Sequence, residues 1–600
     1  MTGTLTFAFV GTVDLSATPF TLDSGQSITG FGNGSSIITS GTIQPINVQG
    51  NLGATGGNVT GNEGVVKSTG GDTLQLLGSN QVRDTAFDFT GGSGSVFTID
   101  QNAGGFSNVG GIVIQGVTVS NVATGQTAFK VAGLDTNLSI TDNNVNVAGT
   151  LLDVDGGAGN ITVTRGTLPN SGPAGTLTGG GISIANRTGG TINFTGKVTV
   201  NGNGASLTNN AGSTVTFADL DITTSGATAF SASGGGTVNV TTGTINATNA
   251  QAVALDGITA GINFASTSAT FASGSGIDLQ NLAGTASFGT GTLTNTGSGT
   301  SFNVGSTIAG SGGNATISYG GTIASNGTGA AASIQSMTGG SVTLSGNLAD
   351  TNASAGGNIV VAGNDAAAIT FSGTSKVISS GATDGVSLGI IGNYGLGAPA
   401  LNTNSTIDFT HGGLDISTMA GAGFVAIGDL GPAGATSTII TVTGAGNKIN
   451  AGSDGLAVYG ANVGSAGITF DSISADSTIP LPGDPGGAGV TLLGARRGCQ
   501  HRRPEGYWIH RRLAVRPEWH RRGQFHRDDR SRRPVCRVQY RRSRGWYRQH
   551  RQCRRIHPDH RWRPVRHHTE LAGRDRQRRH QRQRQHHEYH PLGYQPRRRQ

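Results

Sequence analysis

The sequence predicts an all-β protein: a parallel β-solenoid of about 24 residues and three strands per coil over residues 1–494, then an irregular Arg-rich C-terminal tail. Three observations carry this reading. Apolar residues alternate with polar ones in short runs, the runs recur at a fixed long period, and the composition changes abruptly near Gly494.

The strands come first. Pairs such as Leu138/Ile140, Ile161/Val163, Ile192/Phe194 and Val215/Phe217 are separated by Gly, Asn, Ser and Thr. Alternation over three to five residues describes a short strand with one buried face, and no stretch offers the 3.6-residue spacing of an amphipathic helix. Such patterned apolar residues also distinguish this Gly-rich, weakly charged region from a disordered one.

Recurrence sets the architecture. One series runs Val215/Phe217, Val238/Val240, Ile262/Phe264 and Ala286/Phe288, with steps of 23, 24 and 24, and continues at Ala315/Ile317, Val342/Leu344 and Ile369/Phe371. A second series, Ile222, Ile245, Ala269 and Leu293, keeps the same steps. The third, Val253/Leu255, Ile277/Leu279 and Phe302/Val304, steps by 24 and 25. Three strands in each such step form one triangular coil. Coils stacked at roughly 4.8 Å bury a narrow core, and about 20 of them would make a rod on the order of 100 Å long. That core suits small and β-branched residues, and residues 1–494 contain neither Cys nor Trp. Glycine and asparagine suit corners that require positive φ. The 29-residue step from Ala286 to Ala315 and the stretch Asn393 to Ala400 are the expected loop insertions.

Charge divides the chain at the same place. Residues 1–494 hold eight Lys or Arg against 25 Asp or Glu, about −17, whereas residues 496–600 hold 33 Arg against eight acidic residues, about +25. The formal +8 is the sum of two opposed halves, so it says little about partners. A reading-frame shift in a GC-rich gene explains the tail. Reading codons one base early turns Gly, Ala, Asp or Val into Arg, Thr or Ile into His, and Asn or Ser into Gln. Arg, His and Gln supply 33, 13 and 11 of the 105 residues, and Lys and Asn are absent. Residues 495–600 are accordingly expected to be a disordered, low-complexity frameshift product. Cys499, Cys536 and Cys553 lie 37 and 17 residues apart, which is not the paired spacing of a zinc site. Arg runs among Trp508, Trp519, Trp546 and Trp562 have the composition of a nucleic-acid-binding arm. The frame account removes selection from that composition, so no nucleic-acid partner is expected.

The segment Phe20 to Ile38, FTLDSGQSITGFGNGSSII, with LQLLG from Leu74 and LSITDNNVNV from Leu138, resembles the opening coils of right-handed parallel β-helix proteins with the pectin-lyase-like fold. The cysteine-free Gly/Thr/Asn-rich run is similar to the passenger regions of autotransporter adhesins. This resemblance implies right-handed coils and a secreted or cell-surface bacterial protein that attaches to a host or abiotic surface, or to glycans, or serves as a structural rod. In that family a signal peptide precedes the helix and a membrane β-barrel often follows it. MTGTLTFAFVGTV lacks a positively charged start and is a poor export signal. The expectation is therefore a reading frame truncated in front and shifted behind. No stretch is long and apolar enough to span a membrane as a helix.

The same resemblance raises a rival class, polysaccharide lyases and hydrolases. Hydrolases of that family use clustered Asp with His and an RxK motif, and lyases use Lys or Arg as base, often with calcium. Residues 1–494 offer Lys67, Arg83, Lys130, Arg165, Arg187, Lys197, Lys376 and Lys448, with His411 the sole histidine, and no RxK triplet. Asp153 and Asp155 are the one close LDVD-type pair, and alternation puts both on one side of a strand. GGSGSVFTI at Gly91 and GGAGNITVT at Gly156 lack the Asp of a calcium-binding nonapeptide, and GFGNGS at Gly30 lacks the following helix of a phosphate loop. Strict TxT repeats, which would present a regular hydroxyl lattice, are not evident at one site in successive coils. The sequence thus assigns no catalytic, cofactor-binding or metal residue, and the expected class is a non-enzymatic surface protein.

Overall fold

The computed structural model describes residues 6–9, 12–14, 19–30, 65–68, 71–90, 93–106, 110–165, 175–353, 356–389, 400–428, 438–476, 489–493, 496–497, 540–541 and 546–547. They contain strands and no helix. Two compact units divide the chain, Met1–Pro517 and Glu518–Gln600.

In the first unit 47 strands bond into one continuous parallel array in which each strand pairs with the one a coil away. One coil consists of Thr237–Val240, Gly243–Thr248 and Val253–Asp256, and the next of Thr259–Asn263, Ser266–Phe271 and Ser275–Gln280. The three strands of one pair in order with the three of the other, which defines three faces. Thr191–Thr208 runs through all three faces without interruption. Alternation works as the sequence indicates: Thr237–Val240 buries Val238 and Val240, while Thr237 and Asn239 are only half-buried. Inward residues join in one apolar column, in which the register partners Phe97 and Phe129, and Phe371 and Phe409, stack ring on ring.

The third series repeats in register as read: Val253 pairs with Ile277 and Ile277 with Phe302. The other two slip. Val238 pairs with Ala260, so Ile262 stacks on Val240 and not on Val238. Ala286 then stacks on Ile262 but pairs onward with Ile317, not with Ala315. In the second series Ile245 pairs with Thr267, and Ala269 stacks on Ala247. In the first case the third face already pairs Ser233 with Asp256 at an offset of 23 in place of 24, and the corner removes one residue more. Three glycines, Gly234–Gly236, separate Ser233 from Thr237, whereas only Gly257 and Ile258 separate Asp256 from Thr259. Each slip is two residues, so every side chain keeps its face and Val215, Val238, Ile262 and Ala286 are all buried.

Corners use the residues the composition suggested. At the turn from third to first face, Asn186, Asn209, Gly234, Gly257 and Asn281 on successive coils all have positive φ. Loop insertion also occurs, though at 305–315, between Thr300–Val304 and Thr316–Tyr319. Its ends are tied by Ser306 and Ser311, and its tip exposes Ile308. Residues 393–399 of the other expected insertion lie outside the described residues, and the coil spanning them lengthens to carry Phe371 onto Phe409.

Near the expected boundary at 494 the ladder continues, because Arg496 and Arg497 pair with Asn462 and Val463. In the second unit Tyr540–Arg541 and Trp546–Tyr547 form an antiparallel pair. Cys499, Cys536, Cys553, Trp508, Trp519 and Trp562 lie outside the described residues, as do residues 31–38 and 91–92 of the segments quoted above.

Candidate functional site

On the second face a lysine, an arginine and two carboxylates come together. Lys197 and Asp219 are register partners, and Lys197 Nζ forms an ion pair with Asp221 Oδ2. Arg165, one coil earlier, is near enough to repel the ammonium. Alternation along Thr191–Thr208 and Thr214–Ser225 turns these side chains outward while Val198, Val200, Leu220 and Ile222 fill the core between them. The next coil completes the arrangement: Thr244 donates to Asp221 Oδ1 from its backbone N–H at 2.9 Å and its hydroxyl at 2.8 Å. Sequence inspection missed this cluster because Arg165, Lys197 and Asp219 are far apart in the chain and meet only through the coil repeat.

Its electrostatics favour binding over proton transfer. The hydrogen bond and charge of Asp221 raise the pKa of Lys197 above that of an ordinary lysine. Burial opposes the Asp221 shift, but its bonds to Lys197 and Thr244 leave the carboxyl below the usual range. An amine held more firmly protonated is a poor general base at neutral pH.

The two cations that burial pushes in the opposite direction are out of reach. Arg187 is 1% exposed and turns into the corner between the third and first faces. Its guanidinium donates to the carbonyls of Leu134, Gly156, Gly159 and Gly189, and burial lowers its pKa while Asp135 partly restores it. Lys376 is 2% exposed, and burial pushes its pKa down to about 8. Its ammonium donates to Gly373 O, Thr410 O and Gly412 O. Sequence alternation gave no sign that either cation faces inward.

The remaining expected residues lie elsewhere, with Lys130 the register partner of Asp153 and Lys448 that of Asp415. Asp153 and Asp155 both point away from the core, as read, and Asp155 accepts a 2.7 Å bond from Asn186 Nδ2. Lys67 pairs with Asp88 at 3.8 Å, Arg83 bonds Gln81 and Gln115, and Lys130 and Lys448 are exposed. His411 is exposed at a corner with its Nδ1 3.1 Å from Thr410 Oγ1. Among the described residues no three His, Cys, Asp or Glu side chains come together as a metal site.

Two neutral features complete the outer surface. A shallow groove of about 270 Å³ on the first face is lined by Val113, Asn137, Ser139, Asn160 and Thr162, with Asn160 bonded to Asn137 at 3.3 Å. Further along that face Thr191, Thr214, Thr237 and Thr259 are successive register partners. Beside them Asn193, Thr216 and Asn239 form a second ladder, joined by an Asn239–Thr216 bond of 3.4 Å. The threonine column therefore does persist through four coils, although the adjoining column alternates Asn with Thr.

No protein-family model matches the chain, and comparison with curated proteins finds no match. Among solved structures the chain is similar to the PL6 family alginate lyase AlyGC at 10% identity over 82% of this chain and 96% of that one. The TM-score is 0.13, too low to carry an argument about fold or chemistry.

Proposed function

We propose that this protein is a secreted or cell-surface β-helix of the adhesin type, its coils winding right-handed as parallel crossovers do. It presents repetitive polar faces to glycans or to a hydroxylated surface. The observation that supports this reading is the double ladder on the first face, Thr191 to Thr259 beside Asn193 to Asn239. Donors and acceptors there repeat at the coil spacing of roughly 4.8 Å, so one weak contact is multiplied along a rod. The ion pair of Lys197 with Asp221 and the enclosure of Lys376 make both poor candidates for the base of a polysaccharide lyase.

Retention of the full chain on polysaccharide-coated beads tests the proposal. Replacing outward Thr214, Thr216 and Thr237 together with valine should leave the strand circular dichroism intact and abolish retention. A chain that is retained equally after this change, or that releases unsaturated or reducing sugar ends from polyuronate, would overturn it.

A further inference from the structure

Lys376 stands between two apolar neighbours in its column: it pairs with Leu348 on one coil and Leu414 on the next. Its side chain turns to the corner between first and second faces. There Gly373 O accepts from Nζ at 2.5 Å, Gly412 O at 2.7 Å and Thr410 O at 2.9 Å, so each ammonium proton has one carbonyl. Among the described residues no carboxylate forms an ion pair with it. Two of the carbonyls flank His411, in a stretch where His411, Gly412 and Gly413 have φ of 64°, 70° and 67°. Three successive left-handed residues are rare, and a histidine among them is held by its surroundings. That turn aims Thr410 O and Gly412 O at a common point.

Two coils beyond Lys376, Asn447 meets the same need. It follows Leu414 in the same column, whose N–H donates to Asn447 Oδ1 at 3.0 Å. Asn447 Nδ2 donates to Gly444 O, three residues back, and to Thr469 O on the following coil, both at 3.0 Å. Lys376 likewise bonds three residues back to Gly373 and onward to Thr410. The corner therefore collects carbonyls that demand a donor from within, and the lysine coil collects one more than an amide can satisfy.

We infer that this corner is a monovalent-cation site built of backbone carbonyls, which the chain fills with its own primary ammonium, that of Lys376, and which fixes the left-handed turn carrying His411. The ligand class is ammonium, a potassium-sized ion or a short primary alkylammonium, because three converging carbonyls without a carboxylate offer dipoles and no net charge.

The test uses the full chain at pH 7 with Lys376→Ala. Its Tm should fall by several degrees in tetramethylammonium chloride, and decimolar ammonium, potassium or ethylammonium chloride of equal ionic strength should restore about half of the loss. The native chain should show no such dependence. Lys376→Asn, with two donors for three carbonyls, should recover only part of the Tm lost in Lys376→Ala. A variant whose Tm is the same in all four salts would overturn the inference. Should Lys376→Ala fail to fold, reductive methylation of the native chain decides. Lys67, Lys130, Lys197 and Lys448 should react while Lys376 stays unmodified until denaturation, and labelling of Lys376 at the rate of the others would refute the site.

Discussion

Phe194 and Phe217 stack ring on ring on successive coils, with centroids 4.6 Å apart and planes 12° from parallel. Both are fully buried, and each fills the layer of core belonging to its own coil. Phe217→Ala should cost about 3–5 kcal/mol through lost transfer energy and the cavity left behind. A solenoid is stabilised coil by coil, so the loss should be local. Hydrogen exchange should accelerate in Thr191–Thr208 and Thr214–Ser225 and remain unchanged around Phe371; uniform acceleration would contradict this.

Asn209 tests the corners. It has φ 56° and bonds Asn186 at 3.3 Å on the preceding coil. Asn209→Gly should change stability by a few tenths of a kcal/mol, whereas Asn209→Val should cost about 1–2 kcal/mol, because a branched Cβ clashes in the left-handed region. Denaturant titration of both variants provides the comparison.

Asp350 should make stability pH-dependent. Its side chain is fully buried, and desolvation raises its pKa to about 6 despite bonds from Asn352 and Ser379. Asp384 is also raised, by burial first and by Asp454 in addition. For a carboxyl whose folded pKa exceeds its unfolded value, the folded chain binds more protons in the interval between them. Stability should therefore increase as pH falls from above 6 toward 4, and Asp350→Asn should flatten that profile and stabilise the protein at pH 7.5. Thermal melts across this range measure both, and a native profile that declines on mild acidification would exclude the effect.

The Lys197–Asp221 pair should contribute little. Its lysine side chain is 43% exposed, and exposed pairs contribute about 0.2–1 kcal/mol before screening. A double-mutant cycle on Lys197→Ala and Asp221→Ala should give a coupling at the lower end of that range that fades with added salt.

The sequence alone determined the class of structure, because period-two alternation fixes which side chains face inward and a recurrent length fixes that strands stack coil on coil. For this reason Val253, Ile277 and Phe302 could be aligned from spacing, and Asn and Gly could be placed at corners. Tertiary structure decided register wherever corners differ in length. A 23-residue step on the third face and a corner one residue shorter together put Ile262 over Val240, a shift of two residues that leaves the hydrophobic pattern unchanged and so leaves no mark in it. It also decided the fate of the charges. Nothing in the sequence separates Arg187 and Lys376 from the other cations, yet corner carbonyls without strand partners draw both inward. Arg165, Lys197 and Asp219 lie far apart in the sequence, yet the coil repeat brings them together. Alternation specifies faces, whereas the satisfaction of buried backbone groups and the meeting of distant coils are properties of the completed stack.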